Sequence, residues 1–201
     1  MASYSTHPMK SMKERITAFL GRMLSVVLGI VITFTVQGIL DRKRDKRAVQ
    51  SALELVRTEL SSNLEDITLL TEYFQQEQKS ARYLSAHKKD LAKCPADSVN
   101  YHRGMVEADV SVAFSHDALE LLKMSSLFPK IKNNDLSMKV IHAYDACELI
   151  ASNVSRHVSN RDAAPEGAVD WLLSRPPFTW VSDPTDVQEA VEAIDAFLLE
   201  K

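Results

Sequence analysis

SALELVRTELSSNLEDITLLTEYF, residues 51–74, places Leu53, Val56, Leu60, Asn63, Ile67, Leu70 and Phe74 at alternating spacings of three and four. That period lays one apolar stripe along a helix, the a/d pattern of a coiled coil or of a bundle helix. Leu55, Leu64, Leu69 and Tyr73 widen the stripe. A two-stranded coiled coil needs only a narrow seam, so the wide face predicts packing against several helices of the same chain. Asn63 interrupts the apolar run either as a device fixing register between two chains or as a hydrogen-bonded residue inside one bundle.

Upstream, no proline falls between Pro8 and Pro95, so the helix is expected to extend from a much earlier start to about Leu91. Its upstream part contains MLSVVLGIVITFTVQGIL, Met23 to Leu40, eighteen residues without a charge. At ~1.5 Å per residue this reaches about 27 Å, close to the hydrocarbon thickness of a bilayer. Residues 18–40 are read as a transmembrane helix behind a tail of residues 1–17, with a basic juxtamembrane segment at 41–47 and a helical bundle domain at 48–201. A cleaved signal peptide fits less well, because the run exceeds a typical h-region and meets DRKRDKR without a small-residue cleavage site. Arg22 can snorkel to the headgroups. Gly21, Ser25, Gly29, Thr33 and Gln37 recur at every fourth position, a row that permits close approach of a second membrane helix, whether from a homodimer or another membrane protein. Ordinary membrane-helix composition explains the same row without association.

Charge sharpens the division. Residues 1–47 hold nine of the 24 Lys/Arg and three of the 27 Asp/Glu, a net +6, and the overall −3 leaves −9 for residues 48–201. An acidic body does not hold phosphate backbones, so nucleic-acid binding is not expected. The cluster Arg42, Lys43, Arg44, Lys46 and Arg47 is suited to the lipid surface, and its density argues for a cytoplasmic body. Lys10, Lys13, Arg15 and Arg22 on the other flank nearly balance it.

The body reads as all-α. KCPADSVNYHRG, Lys93 to Gly104, is expected to be a loop. A helical region follows from about Met105 to Ser125, with a break near Ser115 where Ser-His-Asp can cap a new start. Pro129 closes it. A third helix starts at Asn134 or Asp135, carries Val140, Tyr144, Cys147, Ala151, Val154 and Val158, and ends near Asn160. A short helix at 165–175, an extended RPPFTW and a last helix capped by Asp183 complete the chain. The 154 residues from Ala48 to Lys201 suit a single core, and the expected architecture is a membrane helix continuing into a long helix within an antiparallel helical bundle.

The anchor run GRMLSVVLGIVITF, Gly21 to Phe34, resembles the G-x-x-L-x-V-V-x-G-I-x-I anchor of a group of bacterial single-span inner-membrane proteins of unassigned function. It differs at Arg22, where that group carries Glu, and lacks the Asn-Asn-Trp-Asn patch that follows. SHDALELLKMSSLFPKIKNNDLSMKVIHAY, Ser115 to Tyr144, is similar to the group's turn, short tether and tyrosine-bearing helix. The resemblance implies an inner-membrane protein with one N-terminal span and a helical domain outside the cytoplasm. It therefore opposes the local charge count, and tips the balance to the periplasm. It implies no catalytic residues.

Chemistry-bearing patterns are sparse. There is no HExxH, no paired ExxH, no phosphate-binding glycine loop and no G-x-S-x-G elbow. Adjacent Ser115, His116 and Asp117 cannot converge as a triad. His142, Asp145 and Glu148 share one helix face, with His116, Asp117 and Glu120 upstream; together these could hold a divalent ion, although a solvated face accounts for the same residues. Cys147 is expected in the core, and pairing with Cys94 would need an oxidising compartment. Trp171, Phe178 and Trp180 are suited to sealing one end of the core or to meeting a partner. The functional expectation is a membrane-anchored interaction or sensory-type protein without cofactor or catalytic activity, the alternative being a metal protein or enzyme built on the His142 face.

Overall fold

The computed structural model describes residues 12–175 and 183–199, with side chains described from Leu40 onward and at Leu28 and Gln37 before it. Six α-helices occur among the described residues: α1 (Met12–Ala86), α2 (Ala96–Glu107), α3 (Asp117–Met124), α4 (Asn134–Asp162), α5 (Ala168–Leu173) and α6 (Thr185–Leu199). Single 3-10 turns form at Leu91–Lys93 and Phe128–Lys130. The chain divides into two compact units, Met1–Arg47 and Ala48–Lys201. The division falls where the basic segment ends.

In the first unit the backbone is helical from Met12, inside the stretch expected to be a tail, since Lys13 to Thr17 contain no helix breaker. Gln37 and Leu40 are exposed, as are Arg42, Lys43, Arg44, Lys46 and Arg47. Among the described residues no helix is long and apolar enough to cross a membrane. Most of the uncharged run Met23–Leu40 lies outside the residues whose side chains are described.

The second unit is built on the stripe of α1. Leu53, Val56, Leu60, Asn63, Ile67, Leu70 and Phe74 are all buried, and they pack with Leu119 and Leu122 of α3, Val140, Tyr144, Cys147 and Ile150 of α4, and Val187 and Ile194 of α6. The widened face is narrower than expected. Leu64 and Tyr73 are partly buried against this core, but Leu55 and Leu69 are 51% and 62% exposed. A second core at the far end joins Ala81 and Leu84 of α1 to Val106 of α2 and Trp171 and Leu172 of α5.

Side-chain pairings fix the direction of the helices. Glu59 meets Tyr144, Asn63 meets Cys147, and Glu77 meets His157 and Arg161, so residue numbers on α1 and α4 rise together. The two helices are parallel, which corrects the expected antiparallel arrangement. The return run is made by other segments: His102 of α2 bonds Ser80, Met105 accepts from Tyr73, and Ser115 reaches Asn63, a descending series along α1. Lys139–Glu189 and Arg57–Asp195 set α6 rising in the same sense as α4.

Three local expectations change. The helix α1 stops at Ala86 rather than Leu91, where i→i+3 bonds such as Lys88 N–H to the Ser85 carbonyl and Asp90 N–H to the His87 carbonyl replace the α pattern. The expected loop at 93–104 is largely α2. Pro95 immediately precedes its first turn, its carbonyl accepts from Val99 N–H at 3.2 Å, and Asp97 sits at the positive end of the dipole. Residues 108–116, expected to be helical, form no helix: the chain leaves α2 through an extended Ala108, and Ala108, Val110, Val112 and Phe114 turn inward between exposed neighbours in a period of two.

Other elements follow their local chemistry. Asn133 caps α4 by accepting from Leu136 N–H at 3.1 Å, and the Asp183 carboxylate accepts from Thr185 N–H at 3.0 Å at the start of α6. Those hydrogen bonds hold the Asp183 pKa below the ordinary carboxylate range. The predicted extended RPPFTW, with Phe178 and Trp180, lies outside the described residues apart from Arg175.

Candidate functional site

Two polar clusters interrupt the apolar interior of the second unit. In the first, Glu59 of α1 receives Tyr144 Oη at 2.5 Å, Ser115 Oγ at 2.7 Å and the Ala118 N–H at 3.1–3.2 Å. The start of α3 is therefore capped by a carboxylate from a distant helix, and neither Ser115 nor Asp117 supplies the side-chain cap expected from sequence. Burial alone would raise the Glu59 pKa, but the bonds from Ser115, Tyr144 and the backbone of Ala118 and Asp117 outweigh it and leave it below the usual value. Burial, followed by the Glu59 hydrogen bond and charge, pushes the Tyr144 phenol far up. Beside them Asn63 donates to the Ser115 carbonyl at 2.9 Å and accepts its N–H at 3.2 Å, so its polar atoms serve this chain's own backbone. This cluster is fully occupied by structural bonds.

The second cluster opens onto a cavity. Continuing the three/four register beyond Phe74 places Glu77 at the next core position of α1; continuing it beyond Val158 places Arg161 at the next core position of α4. Both are 1% exposed. Arg161 Nη1 donates to Glu77 Oε1 at 2.9 Å, and His157 Nε2 lies 3.0 Å from Glu77 Oε2. A carboxylate only accepts, so the Nε2 of His157 carries the proton in this contact. Arg161 also reaches Asp162 Oδ1 from Nε at 2.9 Å. Burial tends to lower the Arg161 pKa, and the bonds and charges of Asp162 and Glu77 reverse that. Nearby, burial and then the Glu77 charge raise the Tyr73 phenol, partly offset by Arg161.

The imidazole of His157 is held edge-on between Phe74 and Trp171, with ring centroids 5.0 Å from each. The cavity in front of it has a volume of about 200 Å³. Its apolar wall is Phe74, Trp171 and Leu172, and Arg156 and Arg175 stand among its polar lining residues. Arg175 also lies over the Trp171 ring, 5.2 Å from the centroid. The arrangement is a small half-apolar pocket edged with positive charge, on a body whose net charge is −9.

Residues singled out from sequence lie elsewhere. His142, Asp145 and Glu148 are exposed on α4, as are His116, Asp117 and Glu120 around α3, and Glu120 pairs with Lys123 at 3.1 Å. No group of three or more His, Cys, Asp or Glu that could hold a metal ion is present among the described residues. Gly21, Ser25, Gly29 and Thr33 fall outside the residues whose side chains are described. Cys147 is buried, with its thiol pushed up to about 11 chiefly by burial, and both it and Cys94 are free. Trp171 seals the second core, the more local of its two expected uses. No protein-family model, curated protein or solved structure matches the chain.

Proposed function

We propose that this chain is a membrane-anchored helical interaction protein of sensory type, held in a bacterial inner membrane by residues 18–40 and acting without catalysis. The observation that carries this reading is the uncharged run Met23–Leu40 ending on Arg42, Lys43, Arg44, Lys46 and Arg47. The cavity supports the sensory part, because Phe74, Glu77 and Gln78 of its lining belong to α1, the same helix that contains the run. Association along Gly21, Ser25, Gly29, Thr33 and Gln37 would let two copies, or a copy and another membrane protein, communicate. The body is assigned to the periplasmic side, in keeping with the resemblance of the anchor.

Alkaline carbonate washing of membranes tests the anchor. The full chain should stay with the membrane pellet while residues 48–201, expressed alone, remain in the supernatant. Release of the full chain by carbonate would refute the anchor. A C-terminal phosphatase fusion, active only outside the cytoplasm, tests the side.

A further inference from the structure

We propose that the cavity between α1, α4 and α5 binds a small organic carboxylate with a compact apolar or aromatic body. The inference stands on the cavity alone and is independent of the membrane anchor. Its first support is the balance of donors and acceptors. Three acceptors on the wall are already committed: Glu77 is taken by Arg161 and His157, Asn153 Oδ1 accepts from Arg156 Nη2, and Gln78 Oε1 accepts from Arg82 at 3.3 Å, while the Asn160 amide, also on the wall, can either donate or accept. These commitments leave the amide ends of Asn153 and Gln78 as donors, and neither has a protein acceptor among the described residues. Asn153 is 8% exposed as a residue and lines the cavity, so its amide is held there by the surrounding packing.

Charge gives the second support. Arg156 and Arg175 line the cavity, and among the described residues neither has a carboxylate partner. The only lining carboxylate, Glu77, is neutralised by the buried Arg161 guanidinium at 2.9 Å. Two guanidinium groups together with the amides of Asn153 and Gln78 in the lining call for an anion with several acceptor lone pairs, which a carboxylate supplies in a planar form that suits Arg.

Shape gives the third. Phe74, Trp171 and Leu172 offer an apolar wall that a bare inorganic anion would leave wet, and Trp171 is itself kept in place by His157 and Arg175. A volume of about 200 Å³ falls below the ~300–1,000 Å³ of pockets for drug-sized molecules. The occupant is therefore the size of a single ring or a short branched chain.

Benzoate, its neutral isostere benzamide and inorganic phosphate, titrated separately into the full-length protein in mild detergent by calorimetry, test the proposal. Benzoate should bind saturably with one site per chain and at least tenfold more tightly than either benzamide or phosphate. Arg156→Gln and Arg175→Gln should each weaken benzoate by tenfold or more, as expected for loss of one hydrogen bond to a charged group, whereas Arg103→Gln, outside the cavity, should leave it unchanged. Both lining arginines are exposed, so the variants should keep the parent circular dichroism spectrum. Equal binding of benzoate and benzamide, equal or tighter binding of phosphate, benzoate affinity unmoved by both arginine variants, or no benzoate binding would each overturn the proposal.

Discussion

Removing one half of the Glu77–Arg161 pair should cost far more than removing both halves. Each residue is 1% exposed, and each sits where the apolar register of its helix calls for a hydrophobic side chain. Arg161→Met leaves the Glu77 carboxylate buried with His157 beside it at 3.0 Å, a single-partner loss of about 3–5 kcal/mol. Glu77→Leu strands the guanidinium with only the neighbouring Asp162 at 2.9 Å, and the expected loss is similar, about 3–5 kcal/mol. Combining Glu77→Leu with Arg161→Met replaces the pair by apolar side chains that extend the existing stripe. The double variant should therefore lie within about 2 kcal/mol of the parent, allowing about 1 kcal/mol for the bond His157 loses. Urea unfolding of the full-length protein in detergent, followed through the fluorescence of Trp171, reads this directly because that ring lies 5.0 Å from His157. For a domain of this size the single losses correspond to roughly 2–4 °C per kcal/mol in thermal midpoint. A double variant as unstable as the sum of the two singles would refute the reasoning, since it would show no coupling between the two charges.

Glu59→Gln should lower stability at pH 7 by about 1–2 kcal/mol through weaker bonds to Ser115, Tyr144 and the start of α3. Because the folded Glu59 pKa is lowered, its charge stabilises the fold above the ordinary glutamate pKa of about 4.3, and the gap between parent and variant should close as pH falls through the folded value; a gap constant down to pH 2 would contradict this. Ser126 has a left-handed backbone with φ of 56°, so Ser126→Gly should raise stability by about 0.5–1 kcal/mol in the same urea assay. In a membrane two-helix reporter, Gly29→Ile should weaken association modestly, on the scale of the ~0.6 kcal/mol typical of single contacts between membrane helices, while Val27→Ile should not. Equal signals from both would reduce the row to ordinary composition.

The stripe Leu53 to Phe74 was legible because seven consecutive positions obey one period, and every one of them is buried. The same period, carried one step further on α1 and on α4, also points to Glu77 and Arg161. Their charge makes each look like the end of its stripe, and only the opposite charge on the facing helix makes the burial intelligible. Pro95 misleads in a related way, since proline excludes a helix interior but favours a helix start. ADVSVAFS, Ala108 to Ser115, alternates in sequence as it does in burial, a short signal masked by the helical residues on either side. The parallel course of α1 and α4 could not be read locally, because it depends on α2 and the segment after it making the return. The cavity was hidden for the same reason: Gln78, Arg156 and Arg175 come from three separate elements or turns, with no common spacing.

Parallel α1 and α4 are what bring Glu77 to Arg161 and form the cavity, so interhelical distances test the account most directly. Leu55 and Leu69 of α1 and Met138 and Leu149 of α4 are all exposed and accept spin labels once Cys94 and Cys147 are replaced by serine or alanine. With Glu59 opposite Tyr144 and Asn63 opposite Cys147, Leu55 is level with the Met138 end and Leu69 with the Leu149 end. Pulsed electron resonance should then give 55–138 and 69–149 distances whose sum is shorter than that of 55–149 and 69–138. The reverse inequality would mean that α4 descends along α1, and the Glu77 site would not exist as described.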